Sequence, residues 1–352
     1  MKIGLATGGG DCPGLNAAIR AVVRTLSEKS RNNKIIGIRD SINGLLSSPP
    51  DVIPLEMGSV AGILERGGTI LGTSNSGSPF KKDDKKAHKK LLTNWRKLNL
   101  DGFIIIGGDG TQRIAHTLYK IGIPIVGIPK TIDNDFTPTS LSIGFLTAVD
   151  VVAQCVSRLH STAEAHSRIM VVEVMGRHAG FIALHAAIAS GAHIALIPEI
   201  PFDYEKIAKK IKERSRRGRN FCVVIVAEGA FEKNKKPLFR SSATGTLNLG
   251  GIADDVARRL HEKTGTDARV TVLGHIQRGG PPSVPDRILA SLFGVKAAQL
   301  CLEKKFGHVV GLMEGNISSI HFNDIPEDGT CDLGKENPII AAAESLGICL
   351  GR

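Results

Sequence analysis

Residues 103–135 read FIIIGGDGTQRIAHTLYKIGIPIVGIPKTIDND, and their pattern decides the fold class. Phe103 to Ile106 is a short apolar, mostly β-branched run, the kind that forms a strand buried on both faces of a parallel sheet. It breaks into Gly107, Gly108, Asp109, Gly110 and Thr111, and a helical pattern follows through Tyr119. A second apolar run, Ile123 to Ile128, leads to a second polar cluster, Thr131-Ile132-Asp133-Asn134-Asp135. In a parallel sheet both clusters follow strand carboxyl ends, where open α/β sheets bind ligands.

The chemistry of the first cluster is readable. Glycines let backbone N–H groups approach an anion closely, and the start of the next helix adds positive partial charge. Asp109, set among those glycines, would repel a phosphate unless a cation lay between them. Mg²⁺ is the natural one, because it takes one or two carboxylates plus phosphate oxygens. A tight turn with an Asp as N-cap explains GGDG equally well by itself. The second cluster tips the balance: Asp133 and Asp135 beside Thr131 supply a candidate base and a further charge near the metal, whereas a capping turn needs one carboxylate. The residues alone do not choose between Asp133 and Asp135 as the base.

Composition bounds the rest. At 352 residues the chain has the length of two domains. A hydrophobic share of 42% against 22% charged residues gives ample core, and forty glycines with few aromatics suit an α/β protein rich in tight turns. The net charge of +11 raises the question of nucleic acid. Lys and Arg are scattered, however, and the dense run Lys81–Lys90 reads as a solvated helix face or loop. No zinc-finger spacing or aromatic-rich basic stretch occurs, and an anionic small-molecule substrate accounts for the excess as well. Cys12, Cys155, Cys222, Cys301, Cys331 and Cys349 form no CxxC pair and read as reduced, buried thiols. The stretch MKIGLATGGGDC lacks a signal-peptide profile, and no run approaches ~18 consecutive apolar residues. The expectation is a soluble, cytoplasmic protein with no membrane and no nucleic-acid partner.

Taken in order, Lys2 to Thr7 reads as a strand breaking into Gly8-Gly9-Gly10-Asp11, with Asn16 capping a helix through Leu26. This second glycine-rich turn offers further backbone donors for phosphate. Ile35 to Ile38 is a strand, Glu65 to Asn75 a glycine-marked turn and Asp83 to Leu98 a helix. After the central stretch, a helix is expected from Gly144 to His160, and Arg168 precedes a strand, Ile169 to Val174, ending in Met175-Gly176-Arg177. The strand Phe221 to Ala227 carries Glu228 at its end, residues 230–250 look like an inserted polar loop, and Arg269 to Leu273 ends in Gly274-His275-Ile276-Gln277-Arg278. Beyond Met313 the patterning weakens and places no element. Strands keep alternating with helices, so the expected architecture is α/β: two similar doubly wound lobes, mainly parallel sheets, and an active-site cleft between them.

The motifs GGGDCPGLNAAIR, GGDGT, PKTIDND, VMGRHAG and VLGHIQRGG occur in that order, and together they resemble the 6-phosphofructokinase family over roughly Met1 to Gly311. GGDGT by itself is shared with lipid and NAD kinases, which leave MGR and GHIQRGG without a role. The resemblance implies phosphoryl transfer, from ATP or pyrophosphate with Mg²⁺, to the C1 hydroxyl of fructose 6-phosphate. It implies a nucleotide lobe at residues 1–144 plus about 277–327, and a sugar-phosphate lobe at 145–276 plus about 328–352. On matching positions, Gly10, Gly108, Asp109, Gly110 and Thr111 resemble the nucleotide site, with Asp109 the Mg²⁺ ligand. Asp133 resembles the base, beside Thr131 and Asp135. Met175, Gly176 and Arg177 resemble the substrate loop, where Arg177 neutralises the transferring phosphoryl group. Glu228 resembles the acceptor for sugar hydroxyls, and Arg168, Arg269, His275 and Arg278 the group gripping the 6-phosphate. The counterparts of Arg168 and Arg269 reach across from a neighbouring subunit, which implies a homodimer or homotetramer with shared active sites.

Three positions depart from the common bacterial ATP-using pattern. Lys130 replaces a Gly, as in pyrophosphate users, whereas Gly110 stands where those users carry Asp. An Asp at 110 would fill and charge the space of the nucleotide α-phosphate, so Gly110 argues for ATP; the alternative is a pyrophosphate-dependent enzyme of the same fold. Asn75 replaces an Arg near the donor phosphates, and Lys130 is expected to supply the missing cation. Met57, His160 and His193 replace two arginines and a carboxylate of the regulated enzymes' effector site, although Arg20, Arg24, Arg217 and Arg219 keep its positive charge. A flat response to ADP and phosphoenolpyruvate is therefore expected. A non-catalytic nucleotide-sensing protein is the out-of-class reading, opposed by the joint presence of Asp109, Asp133 and Arg177.

Overall fold

Runs of β-branched residues, buried on both faces, set the two main sheets of this protein. The computed structural model describes residues 1–74, 84–241, 247–326, 331–334 and 336–352. Its elements begin with β1 (Lys2–Thr7), α1 (Leu15–Lys29), β2 (Lys34–Ile38), α2 (Asn43–Leu46), β3 (Val52–Leu55), α3 (Lys85–Leu98), β4 (Gly102–Gly107), α4 (Asp109–Lys120) and β5 (Ile125–Pro129). They continue with α5 (Phe145–Ala165), β6 (Ile169–Val174), α6 (Phe181–Ser190), β7 (Ile194–Leu196), α7 (Tyr204–Arg216) and β8 (Cys222–Ala227). Then come β9 (Phe239–Ser241), β10 (Leu247–Leu249), α8 (Ile252–Thr264), β11 (Ala268–Val272), α9 (Val284–Leu302), β12 (His308–Met313), β13 (Asn316–His321) and α10 (Pro338–Ser345). Two compact units result: Met1–Thr147 with Arg278–Thr330, and Ala148–Gln277 with Cys331–Arg352.

The first unit is built on a seven-stranded sheet in the order β13-β12-β5-β4-β1-β2-β3. Its five inner strands are parallel, and the edge strands β3 and β13 run antiparallel to their neighbours. β4 and β5 are buried at every residue, as the apolar runs predict. Strand order reverses between β1 and β4, because β2 lies on one side of β1 and β5 on the far side of β4. That reversal opens a crevice at the carboxyl ends of β1 and β4, flanked by the Gly8–Asp11 and Gly107–Asp109 turns. The core on one face joins Ile38, Leu91, Trp95, Phe103, Leu118 and Phe322, with Trp95 edge-on to Phe103 at 6.1 Å between ring centroids.

The second unit has a four-stranded parallel sheet, β11-β6-β8-β7, with β6 and β8 wholly buried. Its core packs Ile169, Val171, Phe202, Ile207, Val224, Val256 and Leu260. Both units are therefore α/β with mainly parallel sheets, and the second sheet has three strands fewer than the first.

Several local expectations need correction. Asn16 is not a helix cap: α1 starts at Leu15 after Gly14, whose φ of 106° is left-handed, and Asn16 lies inside the helix, fully buried. Its amide donates to the carbonyls of Arg66 (3.0 Å) and Gly67 (3.2 Å), while Oδ1 accepts from Ile70 N–H (2.8 Å). A buried amide must satisfy both ends, and the 66–70 turn offers it acceptors and a donor together. The cap of α3 is Asp84, which accepts from Ala87 N–H at 2.9 Å; Asp83 lies outside the described residues. Part of the expected 230–250 loop is an antiparallel pair, β9 with β10. Of the six cysteines expected to be buried, Cys12, Cys222 and Cys301 are; the other three are half-exposed. Among the described residues no helix is long and apolar enough to cross a membrane.

Candidate active site

Three turns meet at the carboxyl ends of β1, β4 and β5 in the first unit. Gly8 N–H donates to Ile106 O at 2.8 Å, and Lys130 N–H to Gly107 O at 3.0 Å, so the three loops are laced side by side. The glycines are needed for that lacing: a Cβ on Gly8 or Gly107 would lie 2.9 or 2.5 Å from the Thr111 side chain. Gly108 is extended, and Asp109 opens α4, with the N–H groups of Thr111 and Gln112 turned back onto Gly108 O. The Asp109 carboxylate, 24% exposed, is paired with Arg113 Nε at 3.0 Å. Gly110 is exposed, and a Cβ there would meet no atom within 4 Å.

Lys130 lies beneath the first turn. It is 3% exposed, and its ammonium donates to the Gly10 carbonyl. Burial lowers its pKa, with Cys12 and Asp11 acting against that trend. Cys12 beside it is fully buried and its thiol is pushed up to about 12, mainly by burial. The loop after β5 closes on itself: Thr131 Oγ1 donates to Asp135 Oδ1 (3.0 Å) and accepts from Asp133 N–H (3.2 Å). Asn134 holds the far arm, accepting from Ser142 N–H (2.8 Å) and donating to Ser140 O (3.1 Å). That arm ends on Asp286, which is fully buried and accepts from Gly144 N–H (3.1 Å), Thr147 N–H (2.7 Å) and Thr147 Oγ1 (2.5 Å). Burial raises the Asp286 pKa, and these three donors work against the rise.

In the second unit the turns after β6, β8 and β11 also lie side by side. Glu228 N–H donates to Val174 O (2.9 Å), Gly229 N–H to Gly176 O (3.1 Å), and Met175 N–H to the buried Gln277 Oε1 (3.3 Å). Gly176 has φ 138°, and a Cβ at Gly229 would strike Arg177 O at 2.1 Å, so both glycines are sterically required. Arg177 and His275 are exposed, and within the described residues neither side chain has a hydrogen-bond or ion-pair partner.

Glycine-laced turns at a switch point thus lie beside a self-closed acidic loop in the first unit. The family model described as Phosphofructokinase matches residues 2–301. The chain belongs to the phosphofructokinase family. It is 41% identical to the ATP-dependent 6-phosphofructokinase of Spirochaeta thermophila, over 99% of this chain and 97% of that one. The protein of the same name from Chloroflexus aggregans is 42% identical over 100% and 98%. A phosphofructokinase structure from Saccharomyces cerevisiae matches 98% of this chain with a TM-score of 0.79 and 31% identity. This chain spans 47% of that yeast chain.

Within this member of the family, the expected residues fall into separate groups. Gly10, Gly108, Asp109, Gly110, Thr111, Lys130, Thr131, Asp133 and Asp135 are gathered in the first unit. Asn75 lies outside the described residues. Met175, Gly176, Arg177, Glu228 and His275 follow the carboxyl ends of the second sheet. Arg278, expected at the 6-phosphate, belongs to the first unit: its Nη1 donates to Asp11 O at 3.1 Å, and a Cβ on Gly10 would lie 2.5 Å from it.

Arg168 and Arg269 stand near the amino ends of β6 and β11, at the opposite end of those strands from Arg177 and His275. Both hold the Asp267 carboxylate, at 2.8 Å each. A six-residue strand spans roughly 20 Å, so in one chain these arginines do not join the other sugar-side residues. Sequence reasoning missed Asp267, Gln277, Asn134 and Asp286. Asp286 in PPSVPDR reads as an ordinary first-turn acid, because its partners are about 140 residues away.

Proposed function

We propose that this chain transfers the γ-phosphoryl group of ATP to the C1 hydroxyl of D-fructose 6-phosphate, giving D-fructose 1,6-bisphosphate and ADP. The carrying observation is the open space at Gly110 in the first turn of α4, beside Asp109. A nucleotide α-phosphate needs room there, and the helix start favours its charge.

Asp133 takes the C1 hydroxyl proton as the oxygen attacks the γ-phosphorus and the bond to the β–γ bridging oxygen breaks. Thr131 and Asp135 fix the loop that carries it. Arg177 meets charge on the transferring group; Met175 and Gly176 shape the sugar side, Glu228 accepts its hydroxyls, and His275 faces the 6-phosphate. Arg278, which donates to the Asp11 carbonyl, is a further ligand of the 6-phosphate. Lys130, whose ammonium donates to the Gly10 carbonyl, holds that turn and supplies the cation that Asn75 does not.

Among the described residues no three His, Cys, Asp or Glu side chains are grouped to hold a metal. Mg²⁺ suits such a site, because it binds through one or two carboxylates with the remaining positions left to phosphates and water. Asp109, here paired with Arg113, would hold the ion. When bound, Mg²⁺ would neutralise the donor phosphates. Arg168 and Arg269, remote from the other sugar-side residues in one chain, serve a neighbouring copy, so the active form is a homodimer or homotetramer, placed in the cytoplasm.

Formation of fructose 1,6-bisphosphate, measured with ATP and pyrophosphate side by side, tests this reading. Turnover with ATP alone supports it. Turnover with pyrophosphate alone transfers the decision to Lys130, and turnover with neither, in a folded oligomer, leaves a sensing protein.

A further inference from the structure

α3 carries Lys85, Lys86, Lys89, Lys90, Arg96 and Lys97 and no acidic residue. Seven of its residues are exposed, and six of those are these cations; the seventh is Thr93. At 3.6 residues per turn they fall within about 140° of the helix surface. They form two rows flanking Thr93: Lys85, Lys89 and Arg96 on one side, Lys86, Lys90 and Lys97 on the other. None of the six has an ion-pair partner among the described residues.

This arrangement works against the helix. Lys85–Lys89 and Lys86–Lys90 are like-charge i,i+4 pairs, and Lys85 and Lys86 occupy the first turn, where the dipole is already positive. Elsewhere the chain avoids such a face: α7 interleaves its cations with Glu205 and Glu213, and α8 carries Asp254, Asp255 and Glu262. Among the described residues of this segment only the cap Asp84 brings a carboxylate, and it sits at the first turn, so an external polyanion would relieve the repulsion along the rest of the face.

We propose that the exposed face of α3 docks the phosphodiester backbone of a nucleic acid, without reading its bases. The two rows extend about 18 Å, along which a duplex presents roughly ten phosphates. Trp95, the one Phe, Tyr or Trp on the helix, is 8% exposed and packed on Phe103, so it offers no face for stacking bases. An anionic membrane fits the face less well. Leu91 and Trp95 are buried in the core, and Ala87, Leu92 and Leu98 pack against it, which leaves no apolar side chain to enter a bilayer. Dispersed cations argued against nucleic acid at the level of sequence, but this helix places six of the chain's 45 lysines and arginines on one surface.

The test is fluorescence anisotropy of a labelled 20-base-pair DNA duplex and a 20-nucleotide RNA with the full-length protein. ADP and fructose 6-phosphate at saturation keep the phosphates out of the substrate sites. The expected result is binding at roughly 50 mM salt, with log Kd rising against log salt with a slope of about 5 for six phosphate contacts. The triple variant Lys85→Glu, Lys89→Glu, Arg96→Glu weakens binding at least about tenfold and lowers the slope by about 3, while the turnover rate stays at the wild-type value. If circular dichroism shows that α3 no longer forms, Gln at the same three positions replaces Glu and the slope alone is read. Absence of wild-type binding at that salt, an unchanged slope in the folded variant, or retention only on vesicles containing phosphatidylserine would each overturn the proposal.

Discussion

Gly110→Asp isolates the donor argument, because the fold accepts the change. A Cβ at this position meets nothing within 4 Å, and Gly110 is absent from the left-handed glycines, so an L-residue fits without backbone strain. A carboxylate in the first turn of α4 interacts favourably with the helix dipole by about 0.3–1 kcal/mol, and leaving glycine recovers a few tenths more in helix propensity. Melting is therefore expected to stay level or rise by a few °C (roughly 2–4 °C per kcal/mol for a unit of this size). The donor feels the opposite effect. A new negative charge about 5 Å from a nucleotide phosphate, at an effective dielectric near 20, repels it by about 3 kcal/mol. That is a loss of roughly 100–200-fold in kcat/KM for ATP, with a smaller loss for any pyrophosphate-dependent turnover. Steady-state kinetics with both donors, run beside a thermal melt, reads all three quantities. A fall of less than about fivefold with ATP, at unchanged melting temperature, would refute the idea that the donor uses the space at Gly110.

Three further outcomes follow from the geometry. Arg269→Ala and Asp133→Ala subunits, each inactive alone, regain part of the activity when refolded together, since a mixed oligomer rebuilds one intact site; no recovery in purified hybrids would remove Arg269 from the neighbour's site. Asp286→Asn turns an acceptor of three bonds into a group with a donor among them, and losing one or two charge-assisted bonds costs about 2–3 kcal/mol, visible as a melting drop on the order of 5–10 °C. Wild-type melting in that variant would show that the Gly144–Thr147 turn does not depend on the carboxylate. His193, whose Nδ1 accepts from Val223 N–H at 2.9 Å, is depressed to about 3, chiefly by burial and then by Arg214. A depressed base contributes stability that is complete above its ordinary value of 6.5 and drains away as pH falls toward 3. His193→Asn keeps the acceptor without the titration and flattens the melting profile over that range; an unchanged profile would assign the acid sensitivity to other groups.

The strands that carry the site were legible because burial on both faces leaves no alternation to misread. Phe103 to Ile106 and Ile169 to Val174 are apolar throughout except Glu173, and the structure buries every residue of β4 and β6. The glycine turns were legible too, since only glycine tolerates the backbone approach seen at Gly8 and Gly107. Beyond Met313 the signal failed: β13 is a half-exposed edge strand, with neither the alternation nor the continuous apolar run that marks a strand. Asn16 was misread because its residue type suits a cap, and capping is local, whereas its real partners at 66–70 are reached only through the fold.

Thus the sequence by itself determined what depends on near neighbours along the chain: the strand–turn–helix units, the acidic loop Thr131–Asp135 and membership of a kinase family carried by short motifs. Only the tertiary structure decided what depends on groups far apart. It gave the Lys130 ammonium to the Gly10 carbonyl, set Arg278 on the Gly10–Asp11 turn, joined Arg168 and Arg269 through Asp267, and turned six lysines and arginines of α3 to one side. The physical reason is that a buried charge or amide takes whichever partner the packed chain brings within about 3 Å, and one-dimensional spacing carries no record of that distance.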